Sequence, residues 1–185
     1  MSNSNLKIGY VVTTSTNLGY LGAILVSDEK GFPLEFQYTD PILPTKLQKV
    51  LYGNSLEKYL KVDVILDNLL KVLSNKIDLI IVKDEQLLAA KDLKTDIIRV
   101  SETNTTIETQ ENFSVEKIKE DEYIFQYSKI ASPVRVTFNS KTAESDSVFE
   151  KVSNIIKEAG NSIDITEPIE RVQKSIDVII SKDKE

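Results

Sequence analysis

The sequence contains no cysteine, no histidine and no tryptophan, and a single methionine. Without cysteine the chain can form no disulfide, thiolate nucleophile, iron–sulfur cluster or Cys-ligated zinc site of its own. Without histidine it lacks the commonest general base and the imidazole that zinc, copper and nickel favour. A Ser-His-Asp triad is excluded. Any catalysis is left to carboxylates, lysine, tyrosine, hydroxyls and backbone groups. Glycine is scarce, 6 in 185 residues, and no GxxxxGK[ST] stretch occurs, so the chain carries no P-loop. No apolar run nears membrane-spanning length, Leu79-Ile80-Ile81-Val82 being typical of the longest. The first apolar stretch, Ile8 to Val12, is too short for a secretory leader and runs into Thr13-Thr14-Ser15-Thr16. The expectation is a cytoplasmic chain with no membrane partner.

A basic surplus is missing too. The net charge is −6, and lysines are interleaved with acids, as in Lys117-Ile118-Lys119-Glu120. Phosphate-driven binding requires a basic face, so no nucleic-acid partner is expected. What is present is a globular composition: 41% hydrophobic and 28% charged residues, spread along the chain. This length buries a core without staples.

The patterning predicts an α/β or α+β fold. Lys7–Thr13, Leu18–Ser27 and Leu34–Thr39 read as a three-strand antiparallel meander, with Asp28-Glu29-Lys30-Gly31 as its second turn. Pro41 and Pro44 stop the sheet. Thr45 caps a helix, Asn54 with Glu57 suggests a restart, and Val62, Ile65, Leu66, Leu69, Leu70 and Leu73 keep helical spacing to about residue 75. Residues 77–82 read as a buried central strand, 85–93 as a short helix and 96–100 as a further strand. Residues 1–100 thus form an α/β core and 101–112 a polar linker or long loop. Residues 113–185 hold two strands, around 123–127 and 134–138, and two helices. These are either a lobe or part of the same domain. In the first helix Gly160 reads as the C′ residue. In the second, Ile169, Val172, Ile176 and Ile179 form a narrow aliphatic seam that points to a C2 homodimer.

Three features bear on chemistry. Thr13, Thr14, Ser15, Thr16 and Asn17 lie at the first turn, where hydroxyls and N–H groups suit a phosphate. This strand–turn–strand order resembles the phosphate hairpin of actin-like and RNase H-like proteins. Those families place an Asp on the first strand to manage metal; here Lys7-Ile8-Gly9-Tyr10-Val11-Val12 has no carboxylate. The second feature is a set of acids at strand ends, Asp40, Asp84 and Glu85, with Asp63 and Asp67 on a helix face. Two-metal hydrolysis needs such acids to converge. The third is the Phe- and Pro-rich segment from Gly31 to Thr45. Its Phe36 and Tyr38 either pack the core or form an exposed edge that docks a partner, with Lys46, Lys49 and Tyr52 following.

The reading these features favour is a non-enzymatic binding or assembly protein acting through protein–protein contacts, without a cofactor and with a partner the sequence does not name. The alternative is a carboxylate-dependent metal hydrolase or nuclease on an RNase H-like frame, with Asp40, Asp84 and Glu85 as its acids. A second alternative is a phosphate-ligand sensor using residues 13–17. The missing soft ligands lead to one prediction: elemental analysis of the purified chain will find no stoichiometric zinc, copper or iron.

Overall fold

The computed structural model describes residues 5–105, 107, 113–127, 132–139 and 142–182. The meander forms as the patterning predicts: β1 (Ile8–Thr16), β2 (Gly19–Ser27) and β3 (Pro33–Tyr38) pair antiparallel. Asp28 shapes the second turn by accepting the Lys30 and Phe32 N–H groups on its carboxylate. Gly31 sits at φ +80°, a conformation that side chains disfavour. The first turn differs from expectation. β1 runs through Thr16, and the turn shrinks to Asn17-Leu18, so Thr13 to Thr16 lie in the ladder opposite Gly22 to Gly19.

After β3, Thr45 caps α1 (Lys46–Tyr52) through a reciprocal box with Gln48. Asn54 does not restart the helix. Gly53–Ser55 winds as a 3-10 turn and leads into α2 (Leu56–Tyr59), a π-helical stretch (Leu60–Leu66) and α3 (Asp67–Val72). Strand β4 (Leu79–Val82) follows, buried throughout, then a 3-10 turn (Glu85–Ala89) and β5 (Asp96–Glu102). Three more strands come next: β6 (Ser114–Lys117), β7 (Glu122–Gln126) and β8 (Val134–Phe138). Helices α4 (Asp146–Gly160) and α5 (Glu167–Lys182) close the fold.

The eight strands make one mixed sheet in the order β3-β2-β1-β4-β5-β8-β7-β6. β4 lies parallel to both β1 and β5, and the other pairings are antiparallel. One face packs on α4 and α5 through Tyr10, Leu21, Leu25, Ile81 and Phe125. The other packs on the 56–72 helical run through Val11, Ile24, Val26, Ile80 and Val82. Residues 101 and 102 belong to β5, and the remainder of the expected 101–112 linker lies partly outside the described residues. Among the described residues no helix is long and apolar enough to cross a membrane.

Two expectations for the C-terminal helices are corrected. Gly160 is the last residue of α4, not a left-handed cap. A Cβ there would come within 2.5 Å of the Tyr127 ring, so glycine is needed for close packing. Ile169, Val172 and Ile176 are buried on this chain's own sheet, where α5 crosses β1 and β2. Three of the seam's four residues are therefore core of this chain, and the fourth, Ile179, is half-buried.

At the opposite edge, β3 turns its apolar face outward. Leu34, Phe36 and Tyr38 are exposed, while Glu35 turns toward the end of α3. The Glu35 carboxylate accepts the Ser74 and Asn75 N–H groups and the Asn75 side-chain amide. These bonds, the Ser74 N–H foremost, lower its pKa from 4.5 to about 2. A depressed carboxylate contributes its full stabilisation above its unfolded value and loses it as pH falls through its folded value. Glu35→Gln will therefore destabilise the protein at pH 6, and the gap to wild type will close between pH 4.5 and about pH 2. Urea midpoints across that range check it.

Candidate functional site

β4 stops at Val82, opposite Val11, but β1 continues to Thr16. The projecting part of β1 and the chain leaving β4 therefore border a recess at the carboxyl ends of the two strands. The strand order reverses there, β1 leading to β2 on one side and β4 to β5 on the other. Open α/β sheets place ligands at such points. α5 closes the recess from above. The result is a cleft of about 500 Å³ lined by Val12, Thr13, Lys83, Asp84, Gln173 and Lys174, with Glu170 and Asp177 also on α5.

Asp84 is the organising group. Its Oδ1 accepts the Gln86 N–H at 3.0 Å and so caps the 3-10 turn after β4. Its Oδ2 accepts the Lys61 ammonium at 2.8 Å and faces the Thr13 hydroxyl at 3.4 Å. Lys61 enters from the opposite layer, on the π-helical stretch. Its side chain is only 11% exposed, and its ammonium also meets Glu57 Oε1 at 2.5 Å. Burial would lower the Lys61 pKa, but the hydrogen bonds and charges of Asp84 and Glu57 outweigh it and hold the pKa above its usual value. Lys83 stands exposed at the rim. Arg99, on β5, donates through Nε to the Lys83 carbonyl at 3.1 Å.

The sequence-derived candidates separate on this frame. Thr13 and Asp84 come together. Thr14, Ser15, Thr16 and Asn17 run on past the cleft along the hairpin, where the Thr16 hydroxyl accepts the Leu18 N–H and donates to the Gly19 carbonyl. Glu85 points to solvent, 77% exposed, and lies 3.9 Å from Arg99. Asp40 is exposed beyond the end of β3. Asp63 is exposed, and Asp67 pairs with Lys71 on the helix surface. Among the described residues no three acidic side chains gather as a group able to hold a metal ion. β1 contributes no carboxylate, and Lys61 engages the acid nearest to it, so the residues present do not fit a two-metal centre. Phe36 and Tyr38 form the exposed edge rather than core. Lys46 and Tyr52 lie on α1, which buries none of its residues, and the Tyr52 ring stacks on Tyr59 at 4.7 Å. Sequence reading missed Lys61 and Lys174. Lys61 sits in a helix whose visible signal is its aliphatic spacing, and nothing local marks its inward turn.

No protein-family model matches the chain, and no curated protein matches it significantly. Solved structures do. Endonuclease V from Bacillus subtilis superposes with a TM-score of 0.59 at 12% identity, over 97% of this chain and 81% of the other. Endonuclease V from Ciona intestinalis, solved with a 23mer DNA containing inosine followed by a ribo-adenosine, gives 0.58 at 14% identity, over 98% and 88%. The Streptomyces avermitilis enzyme gives 0.58 at 13%, over 97% and 83%. The fold is thus the mixed α/β, RNase H-like frame of those proteins. This likeness corrects two expectations drawn from composition: a scaffold acting through protein contacts, and the exclusion of nucleic acid. The same frame carries endonuclease V, which in the Ciona protein is in complex with DNA. Net charge averages the whole surface, so it does not decide what a single cleft accepts.

The convergence on Asp84 leads to a stability prediction. Asp84→Ala removes the cap of the 3-10 turn and leaves the Lys61 ammonium with Glu57 alone. It will cost about 1–3 kcal/mol in urea unfolding.

Proposed function

We propose that this chain binds nucleic acid on a nuclease frame, holding the phosphate backbone in the cleft at the carboxyl ends of β1 and β4. The observation that carries the reading is the placement of that cleft, with Lys83 and Lys174 on its walls, on a frame shared with endonuclease V. Lys83 and Lys174 supply point charges for phosphate oxygens, and the Thr13 hydroxyl adds a short-range donor. Arg99 on the neighbouring strand steadies the Lys83 backbone by donating to its carbonyl. Tyr52, stacked on Tyr59, and Phe36 and Tyr38 on the exposed edge offer rings to unpaired bases, with Lys46 and Lys49 on α1 beside Tyr52. Aromatic platforms with nearby cations are how single strands are held without sequence readout. Glu170 and Asp177 on the same cleft wall keep the affinity modest and favour a strand that touches few phosphates.

A second reading is hydrolysis, a carboxylate-dependent nuclease. The same fold likeness and Asp84 in the cleft, with Glu57 joined to it through Lys61, support it. The missing acid on β1 and the engagement of Asp84 by Lys61 weigh against it.

Fluorescence anisotropy with labelled single-stranded DNA, duplex DNA and RNA tests the proposal. Binding is expected at low salt, weakening with a log–log salt slope of about −1 to −2, as two phosphate contacts on a single strand require. Lys83→Glu combined with Lys174→Glu will weaken it by about tenfold or more. No binding at ~10 µM protein and ~50 mM salt would refute the reading. Incubating the same strands, and an inosine-containing duplex, with Mg²⁺ or Mn²⁺ separates the two readings. Intact strands favour binding alone, and strand scission abolished by Asp84→Asn favours hydrolysis.

A further inference from the structure

We infer that the Lys61 ammonium is a built-in replacement for a divalent cation at this cleft, so that the chain meets nucleic acid without a metal. The inference deepens the nucleic-acid reading and rests on it only for the identity of the ligand. Its own ground is the geometry around Asp84. The Lys61 ammonium sits 2.8 Å from Asp84 Oδ2 and 2.5 Å from Glu57 Oε1, between two carboxylates supplied by different elements. Those oxygens are the hard ligands that Mg²⁺, Mn²⁺ or Ca²⁺ takes at about 2.0–2.6 Å. The second Asp84 oxygen is committed to the Gln86 N–H. A metal ion would have to displace an ammonium held by two charge-assisted bonds and then remain beside it, two cations on one pair of acids.

The burial pattern agrees. Lys61 is one of only three buried polar or charged residues among those described, and its side chain is 11% exposed while Glu57 is 47% exposed. A lysine that merely decorated the surface would keep its ammonium in water and bury only its stem. Here the head group is drawn inward to Asp84 at the end of β4 and to Glu57 on α2. One ammonium between two carboxylates compensates one of their two charges and occupies the oxygens that a metal would otherwise take. The phosphate of a bound strand then meets an Asp84 that already carries its own cation.

The test is Mn²⁺ binding to the full chain, read by electron paramagnetic resonance with the metal alone. Wild type is expected to leave Mn²⁺ free up to about 1 mM, the weak end of carboxylate sites. Lys61→Met, which keeps the stem and removes the charge, will create one saturable site at least about tenfold tighter. Adding Asp84→Asn to Lys61→Met will abolish that site. Lys61→Gln, which retains an amide donor toward Asp84, gives the same reading in milder form should Lys61→Met fail to fold by circular dichroism. A wild-type Mn²⁺ site below ~1 mM that Asp84→Asn removes would overturn the inference. So would a folded Lys61→Gln or Lys61→Met that gains no metal. Because no nucleic acid is present in this experiment, its failure and the failure of the binding reading are separately visible.

Discussion

The fold depends on the four residues of β4. Leu79, Ile80, Ile81 and Val82 are each at most 1% exposed and pair in parallel with strands on both sides. A parallel strand that is covered on both faces must be apolar on both faces, and this one is. Burying each such side chain is worth about 1.5–3 kcal/mol, so no polar residue is tolerated until the strand leaves the sheet. The first two that follow are Lys83 and Asp84. The cleft is thus where the hydrophobic constraint ends. The carboxylate that organises it appears at the earliest position the sheet permits.

That constraint explains why part of the molecule was legible in sequence. The run 77–82, the alternation in 34–39 and the turn at Asp28–Gly31 have local causes, and each formed as its residues suggest. β6 was missed because Ser-Val-Glu-Lys offers one apolar residue and depends on β7 for its register. Alternation along 34–39 identifies two faces but not which one the helices cover. The apolar face lies outward because the α3 end presents N–H groups that Glu35 accepts. The site was legible only in part. Asp84 followed from its position after a buried strand, whereas its partner Lys61 lies 23 residues away on the opposite layer. Asp40 and Glu85 look equivalent to Asp84 in sequence, and only the sheet order separates them.

The same exposed edge sets a requirement on the free protein. Among the described residues β3 has one neighbouring strand, β2, so its other backbone edge is unpaired there, and its outward side chains are apolar. Edges of this kind invite pairing with other chains. Two features blunt it here. The register shifts between Val26 and Ser27, which bends the ladder, and Pro33 begins the strand without an N–H to offer. The strand is also only six residues long.

The π-helical stretch Leu60–Leu66 has a consequence of another kind. Its i→i+5 winding encloses one more residue per hydrogen-bonded ring than an α-helix, so each residue turns through less than the usual ~100°. Leu60, Lys61 and Val62 can then all be buried in succession, which an α-helix with one buried face does not allow. The stretch works as a phase adjuster between two halves of one helix. Ile65, Leu66 and Leu69 fix the phase of the second half against the sheet. Glu57 before the stretch and Lys61 within it take their angular setting from this winding. Winding the same residues as α instead would turn the first half by about 100° relative to the second and carry the ammonium away from Asp84. The charge state of the cleft therefore depends on how this helix winds as much as on side-chain identity. A change that forces α winding on the stretch would rewrite it without altering any residue of the cleft itself.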